Sequence, residues 1–356
     1  MKINLDCRHY RGDIPCKPHK LHGVHCPGCT HYDPMKGRIL ILKLGAIGDV
    51  IRTTPLLRKL KDEFPRSEIH WLTHTPEVLP SMVDRAFRFI PEHVEILKNT
   101  SYDLLLNLDK DRETCALALG IEARKKMGFT LRGGKCHPLN RAAENKWLTG
   151  LFDDLNKRNE KSYPREIFEM CGYSFNGEEY VLEIQGKSQW KIVKRGPVVG
   201  LNTGCGARWA TRLWPEKHWI ELARILKKSG YTVILLGGEQ EDEKNKKIAQ
   251  LTKARYLGHF SLPVFIDLIN NCDIVVTAVT MALHLAIGLK KKIVLFNNIF
   301  NPKEFELYGR GVILEPGRSC QCCFMNECPK PCMELIKPER VLKAVQAIDA
   351  GHRVSS

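Results

Sequence analysis

The sequence predicts an α/β protein made of two doubly wound, mostly parallel-sheet domains. Three observations lead there. Strand-length apolar runs alternate with stretches of helical apolar spacing, the pattern of a parallel sheet with helices on its faces. The alternation occurs twice, once from Arg38 and again from Pro197. The chain has 356 residues, the length of two ordinary domains. Ligands in such sheets bind beyond the carboxyl ends of the strands, so the loops there are where chemistry is sought.

In order along the chain, residues 1–36 are rich in Cys, His, Pro and Gly and read as an irregular extension. Arg38 to Leu44 is a continuous apolar run suited to a buried parallel strand. Gly45-Ala46-Ile47-Gly48 follows as a turn, and from Asp49 the spacing predicts a helix to about Phe64. Ile69–Leu72 and Tyr102–Leu108 are further strands. Residues 130–195 are polar, and helices and loops are expected there. The second unit has strands at Val198–Asn202, Tyr231–Leu236, Asp273–Thr277 and Ile293–Phe296. Its helices are expected from Pro215 to about Ser229, over Asp242–Leu251 and over Met281–Leu289. The expected domains are 1–36, 37–195, 196–318, a cysteine-rich finger at 319–333, and a C-terminal helix and tail at 334–356.

The charge is +15, from 55 basic and 40 acidic side chains. A basic balance suits phosphates, nucleic acid or an anionic membrane face. The lysines fall in short scattered runs without interleaved aromatics, so nucleic acid is not expected as a partner. No apolar run reaches the ~18 residues of a membrane span, and the first residues carry no signal-peptide core. The expected location is cytoplasmic.

Five loops carry candidate chemistry. Lys43 to Val50 joins a strand to a helix start, where glycines allow the turn and the helix presents unpaired N–H groups. Asp49 there is either a general base or a helix cap. Asn202 to Pro215 holds Thr203, Gly204, Gly206, Arg208, Arg212, Trp209 and Trp214 before a helix. Small residues, cations and helix N–H groups together suit a diphosphate. Thr280 and His284 open a helix after a strand; each is a candidate ligand contact, with a cap and a core histidine as the plainer readings. Glu241, after Gly237-Gly238, either takes a ribose hydroxyl or favours the helix dipole. Asp109-Lys110-Asp111 is a DxD triplet, a metal holder in some sugar transferases, but strand-end acids are common in parallel sheets.

These loops together resemble glycosyltransferase family 9, the ADP-heptose:lipopolysaccharide heptosyltransferases. The carriers are Ile41 to Val50, Thr211-Arg212-Leu213-Trp214-Pro215, Leu235-Leu236-Gly237-Gly238 and Met281 to Ala286, in this order. The resemblance implies a GT-B fold, two Rossmann-like domains facing across a cleft, and an inverting transfer without catalytic metal. It makes Asp49 the general base and Arg212, where the family usually has lysine, the partner of the leaving diphosphate. Thr203, Gly204, Glu241, Thr280 and His284 complete the expected nucleotide-sugar site. The family commonly has aspartate where Val279 stands, which leaves the donor sugar and base open. The expected donor is ADP-heptose-like, and the acceptor lipopolysaccharide core or another lipid-linked molecule at the inner membrane face. The alternatives are a protein hydroxyl as acceptor, or an inactive transferase fold serving as a zinc-ribbon binding module.

Nine of the fourteen cysteines cluster in two places. A reducing compartment disfavours disulfides, so clusters there point to metal. Cys320, Cys323, Cys328 and Cys332, with Cys322 extra, can close a tetrahedral zinc or iron site. A similar finger occurs in the iron-binding autotransporter protein heptosyltransferases of the same family. Cys7, Cys16, Cys26 and Cys29 look like a second site, with His9, His19, His22, His25 and His31 as alternative ligands. Four thiolates leave no open position, so both are expected to be structural.

Overall fold

The computed structural model describes residues 1–351 except 185, 187, 189, 319 and 321, and only the backbone of Ala207 and Arg208. The chain divides into two compact units. The first holds residues 1–45, 56–144 and 170–172; the second holds 46–55, 145–169 and the chain from Tyr173 on. Residues 46–55 and 145–169 thus pack with the second unit, although the domain expected at 37–195 included them.

The first unit contains strands β1 (Gly37–Leu42), β2 (Ser67–Thr73), β3 (Arg85–Arg88), β4 (Tyr102–Asn107), β5 (Ala123–Arg132) and β6 (Lys135–Pro138). They form one sheet in the order β3-β2-β1-β4-β5-β6, parallel except for β6. β1 is flanked by β2 and β4, and Ile39 to Leu42 are fully buried, which explains its unbroken apolar run. The β5–β6 hairpin lies where helices and loops were expected. Gly133 and Gly134, with φ of 57° and 73°, supply the positive-φ turn that a two-residue hairpin demands.

At the end of β4 stands Asp109, buried, with its carboxylate turned back onto the end of β1. It takes Lys43 Nζ and the backbone N–H groups of Leu44 and Gly45, the last two at 2.5 and 2.9 Å. The DxD aspartate is therefore a structural clasp. Residues 1–36 contain one short helix, Lys17–His22, and bury little besides Cys7 and Pro18. Arg8 fastens them, reaching Asp33 at 3.0 Å and Asp84 at 2.5 Å.

The second unit has β7 (Val198–Asn202), β8 (Thr232–Leu236), β9 (Arg255–Tyr256), β10 (Ile274–Ala278), β11 (Lys292–Phe296) and β12 (Gly311–Leu314). The order is β12-β11-β10-β7-β8-β9, wholly parallel. Helix Glu216–Lys228 lays Trp219, Leu222, Ala223 and Leu226 on the sheet, and helix Pro338–Asp349 adds Val341, Val345 and Ile348 to the same core. Trp214 Nε1 donates to Ile336 O at 2.9 Å, satisfying the indole's polar edge inside this core. The helix expected from Asp49 to Phe64 is two helices, Ile47–Ile51 and Leu56–Glu63. Pro55 separates them, since proline lacks the N–H and disfavours helix at the residue before it. No helix among the described residues is long and apolar enough to cross a membrane.

Candidate active site

The second unit encloses a pocket of about 1100 Å³ at the carboxyl ends of its strands. Its floor is the loop after β7. Asn202 holds this loop in shape: its Nδ2 donates to Gly204 O at 3.2 Å and to the Thr277 and Thr280 hydroxyls at 3.0 and 3.3 Å. Gly204 is needed because Glu241 packs on it; a Cβ there would lie 2.3 Å from the Glu241 carboxyl carbon. Glu241 Oε2 in turn accepts from Gly238 N at 3.0 Å. Two loops after neighbouring strands are thereby closed on one another.

Arg212 reaches the pocket from the same loop. It is 8% exposed and is satisfied by carbonyls: Nη2 donates to Cys205 O at 2.6 Å, and Nη1 donates to Val279 O. Its charge meets no carboxylate in any ion pair among the described residues. Burial lowers its pKa from the ordinary arginine value. A desolvated cation with only neutral partners is costly unless an anion completes it. An anion placed in this corner would supply the counter-charge that Arg212 lacks among the described residues.

The opposite wall is helix Ile47–Ile51, which carries Asp49 into the pocket. The helix lies close against helix Met281–Gly288: a Cβ on Gly48 would fall 2.4 Å from His284 Cδ2. His284 is buried, and burial together with nearby Arg52 pushes its pKa down to about 3. It is neutral at physiological pH and serves as a packing surface. Asp49 Oδ1 meets Arg52 Nη2 at 2.8 Å, and Arg52 Nη1 lies 3.7 Å from Glu304 Oε2. Burial pushes the Glu304 carboxyl above the usual carboxylate range, while Arg52 pulls the other way. Two carboxyl groups and the guanidinium between them thus share one wall, with the buried Arg212 in the same pocket.

Comparison with known proteins finds glycosyltransferases. Residues 161–334, a little under half of the chain, match Glycosyltransferase family 9 (heptosyltransferase). The lipooligosaccharide heptosyltransferase 2 of Haemophilus influenzae is 23% identical over 290 residues, covering 72% of this chain and 82% of that protein. The chain is a glycosyl transfer enzyme, similar to family 9 over the residues matched. The fold agrees too. A family 9 glycosyl transferase from Veillonella parvula matches with a TM-score of 0.66 at 18% identity, covering 89% of this chain and 98% of that one. The ADP-heptose lipopolysaccharide heptosyltransferase II of E. coli matches with a TM-score of 0.63 at 19% identity, covering 88% and 99%. The expected GT-B class, two parallel sheets in an α/β fold, is what these likenesses share.

Most residues expected in the glycosyltransferase's site line this pocket: Asp49, Gly204, Arg212, Glu241, Thr280 and His284. Thr203 does not. Its side chain is buried and its hydroxyl donates to Asn245 Oδ1 at 2.7 Å, so it braces the loop from behind. The Arg208 side chain lies outside the described residues. Thr280 stands at the N-cap of helix Met281–Gly288, but its hydroxyl is shared with Thr277 Oγ1 at 3.1 Å instead of capping. Val279 lines the pocket and offers it no polar side-chain atom. The sequence reading missed Arg52, Glu304, Phe300 and Phe324, all of which line it.

Each set of four candidate metal cysteines lines one cavity. Cys320, Cys323, Cys328 and Cys332 share one of about 330 Å³, and Cys7, Cys16, Cys26 and Cys29 share one of about 270 Å³ with His9, His19, His25 and His31. Among the described residues no three His, Cys, Asp or Glu side chains stand together in a metal-holding arrangement. Cys332 Sγ instead accepts from Asn298 Nδ2 at 3.4 Å, and Cys328 Sγ donates to Lys330 O at 3.3 Å.

Proposed function

We propose that this glycosyltransferase moves a heptose from a nucleoside diphosphate donor, ADP-heptose-like, to a lipopolysaccharide-core or other lipid-linked acceptor, with inversion at the anomeric carbon. The observation that carries the reading is Arg212: a buried cation without a carboxylate partner, in the same pocket as a carboxylate at a helix start. Asp49 removes the proton of the acceptor hydroxyl as its oxygen bonds to the anomeric carbon. The bond from that carbon to the phosphate oxygen breaks, and the electron pair leaves on the diphosphate. Arg212 neutralises that charge, with the Gly204 backbone and the Thr280 hydroxyl beside it. Such preorganised stabilisation is often the largest catalytic contribution. Glu241 takes a ribose hydroxyl. The basic surface suits an anionic acceptor at a membrane face.

No residue of this scheme requires a metal. The two cysteine sets are proposed as structural zinc or iron sites, supported by their convergence on one cavity each; binding would draw the thiols together. Metal analysis of the purified protein tests this, and the absence of any stoichiometric metal would remove it.

The donor site is tested with a panel of ADP-, GDP- and UDP-linked sugars in a thermal-shift assay. An ADP-linked heptose is expected to stabilise the protein most, and no stabilisation by any nucleotide sugar would overturn the assignment. Asp49→Asn is expected to keep donor binding and lose about 10²–10⁴-fold in turnover, the range for a positioned base. Near-normal turnover would return Asp49 to a capping role.

A further inference from the structure

The geometry points to Arg52 as a positioning residue for Asp49, with Glu304 as a second carboxyl group on the same guanidinium. The inference rests on Asp49 being the general base.

Pairs spaced three residues apart on a helix are commonplace and weak when exposed. This one differs in its surroundings. The Arg52 side chain is 13% exposed and that of Glu304 18%, whereas Asp49 is 35% exposed on the pocket side. The plane of the guanidinium is set from a third direction, because its carbon lies 3.5 Å over the Tyr163 ring. Arg52 therefore touches residues from three separate parts of the sequence, and none of the contacts is a surface accident. The Asp49 helix is itself fixed in rotation by Gly48 against His284.

The charges explain why two carboxyl groups are present. Burial opposes the Arg52 charge, but Asp49 and then Glu304 more than offset it, and its pKa is raised above the arginine value. When Asp49 takes the acceptor proton its charge disappears. Without Glu304, Arg52 would then be a buried cation with no counter-ion, which is strongly unfavourable. Glu304 remains, so the guanidinium keeps its place through the transfer and Asp49 can return to it. Among the described residues, His284, which is neutral, and the buried Tyr180 also face Asp49, and Tyr163 lies against Arg52; Lys146 and Glu166 lie near Glu304. None of these supplies a cation against Asp49 in Arg52's place.

The test is the pH dependence of turnover in Arg52→Gln, Arg52→Lys and Glu304→Gln, with donor binding followed in parallel by thermal shift. Arg52→Gln is expected to lose about 10²-fold in kcat while the donor still stabilises the protein. The acid limb of kcat/KM should move up by about one pH unit, since a carboxylate that loses an adjacent cation becomes more basic. Arg52→Lys should restore the limb but only part of kcat, because a point charge cannot serve two carboxyl groups as a fork does. Glu304→Gln should leave Arg52 to Asp49 alone and move the limb slightly down. An unmoved limb in Arg52→Gln, or a kcat close to wild type, overturns the positioning role. Asp49→Asn separates the two readings. If that variant turns over normally, the base assignment falls and this inference with it; if it is inactive while the Arg52→Gln limb stays put, only the inference falls.

Discussion

The two sheets have the same strand order and opposite uses for it. In each, the first strand of the unit lies between the second and the fourth, so a crevice opens where the chain reverses direction across the sheet. In the first unit that crevice is filled by the protein itself. Two residues past β4, Asp109 turns its carboxylate onto Lys43 and the Leu44 and Gly45 amides. In the second unit the residue two past β10 is Thr280, no carboxylate is supplied, and Arg212 is left with carbonyls alone. One crevice carries its own anion and the other leaves the place for a ligand's. The difference teaches that a doubly wound sheet becomes a binding site through what its fourth strand withholds.

The comparison can be broken by exchanging charge at the two crevices. Asp109→Ala removes the buried carboxylate that takes Lys43 and the Leu44 and Gly45 amides, and is expected to cost about 3–5 kcal/mol of stability in urea denaturation. A cost near zero would mean that the clasp is idle. Arg212→Met should act in the opposite sense. Stability is expected to hold or rise, since a desolvated cation without a counter-ion is removed, while donor affinity falls about 10²-fold, or ~2.8 kcal/mol, by calorimetric titration. Unchanged affinity with a large loss of stability would erase the contrast.

A smaller effect sharpens the picture of the first unit as internally paired. Glu68 on β2 is buried. Burial alone would raise its pKa, but His70 and Arg85 outweigh that and hold it down to about 2. A carboxylate depressed in the folded state contributes stability that is present above its unfolded pKa and is lost as pH falls through the folded one. Glu68→Gln should therefore cost about 2 kcal/mol near neutral pH, allowing for partial solvent screening, and the cost should fade between about pH 4.5 and pH 2. Urea midpoints across that range check it.

Much of the fold was legible because its signals are local. The β1 run, the glycine loops and the Trp-Pro before helix Glu216–Lys228 each follow from neighbours in sequence. The β5–β6 hairpin was legible too, in Gly133-Gly134, but was hidden in a polar stretch read as helix and loop. Asp49 and Arg212 were found because each stands at a strand-to-helix loop. Arg52 sits three residues from Asp49, yet nothing in the sequence separates a buried shared guanidinium from an ordinary surface pair. Glu304 carries no motif, and only the fold brings it to Arg52. Where the Thr203 side chain goes was likewise hidden: Asn245, on a later helix, takes its hydroxyl.

The partition of the chain has a consequence for how the site comes into being. The helix bearing Asp49 leaves the ribosome ahead of β2 to β6, but it packs with the second unit, most of which is made later. Its seat, His284, and the partner of its guanidinium, Glu304, follow more than two hundred residues later. At the roughly 5–20 residues per second of synthesis, that is an interval of some tens of seconds. The first sheet's strands are all made by then, whereas Asp49 waits on its chain for a seat. A chain interrupted before these residues thus carries Asp49 without the groups packed around it in the folded unit.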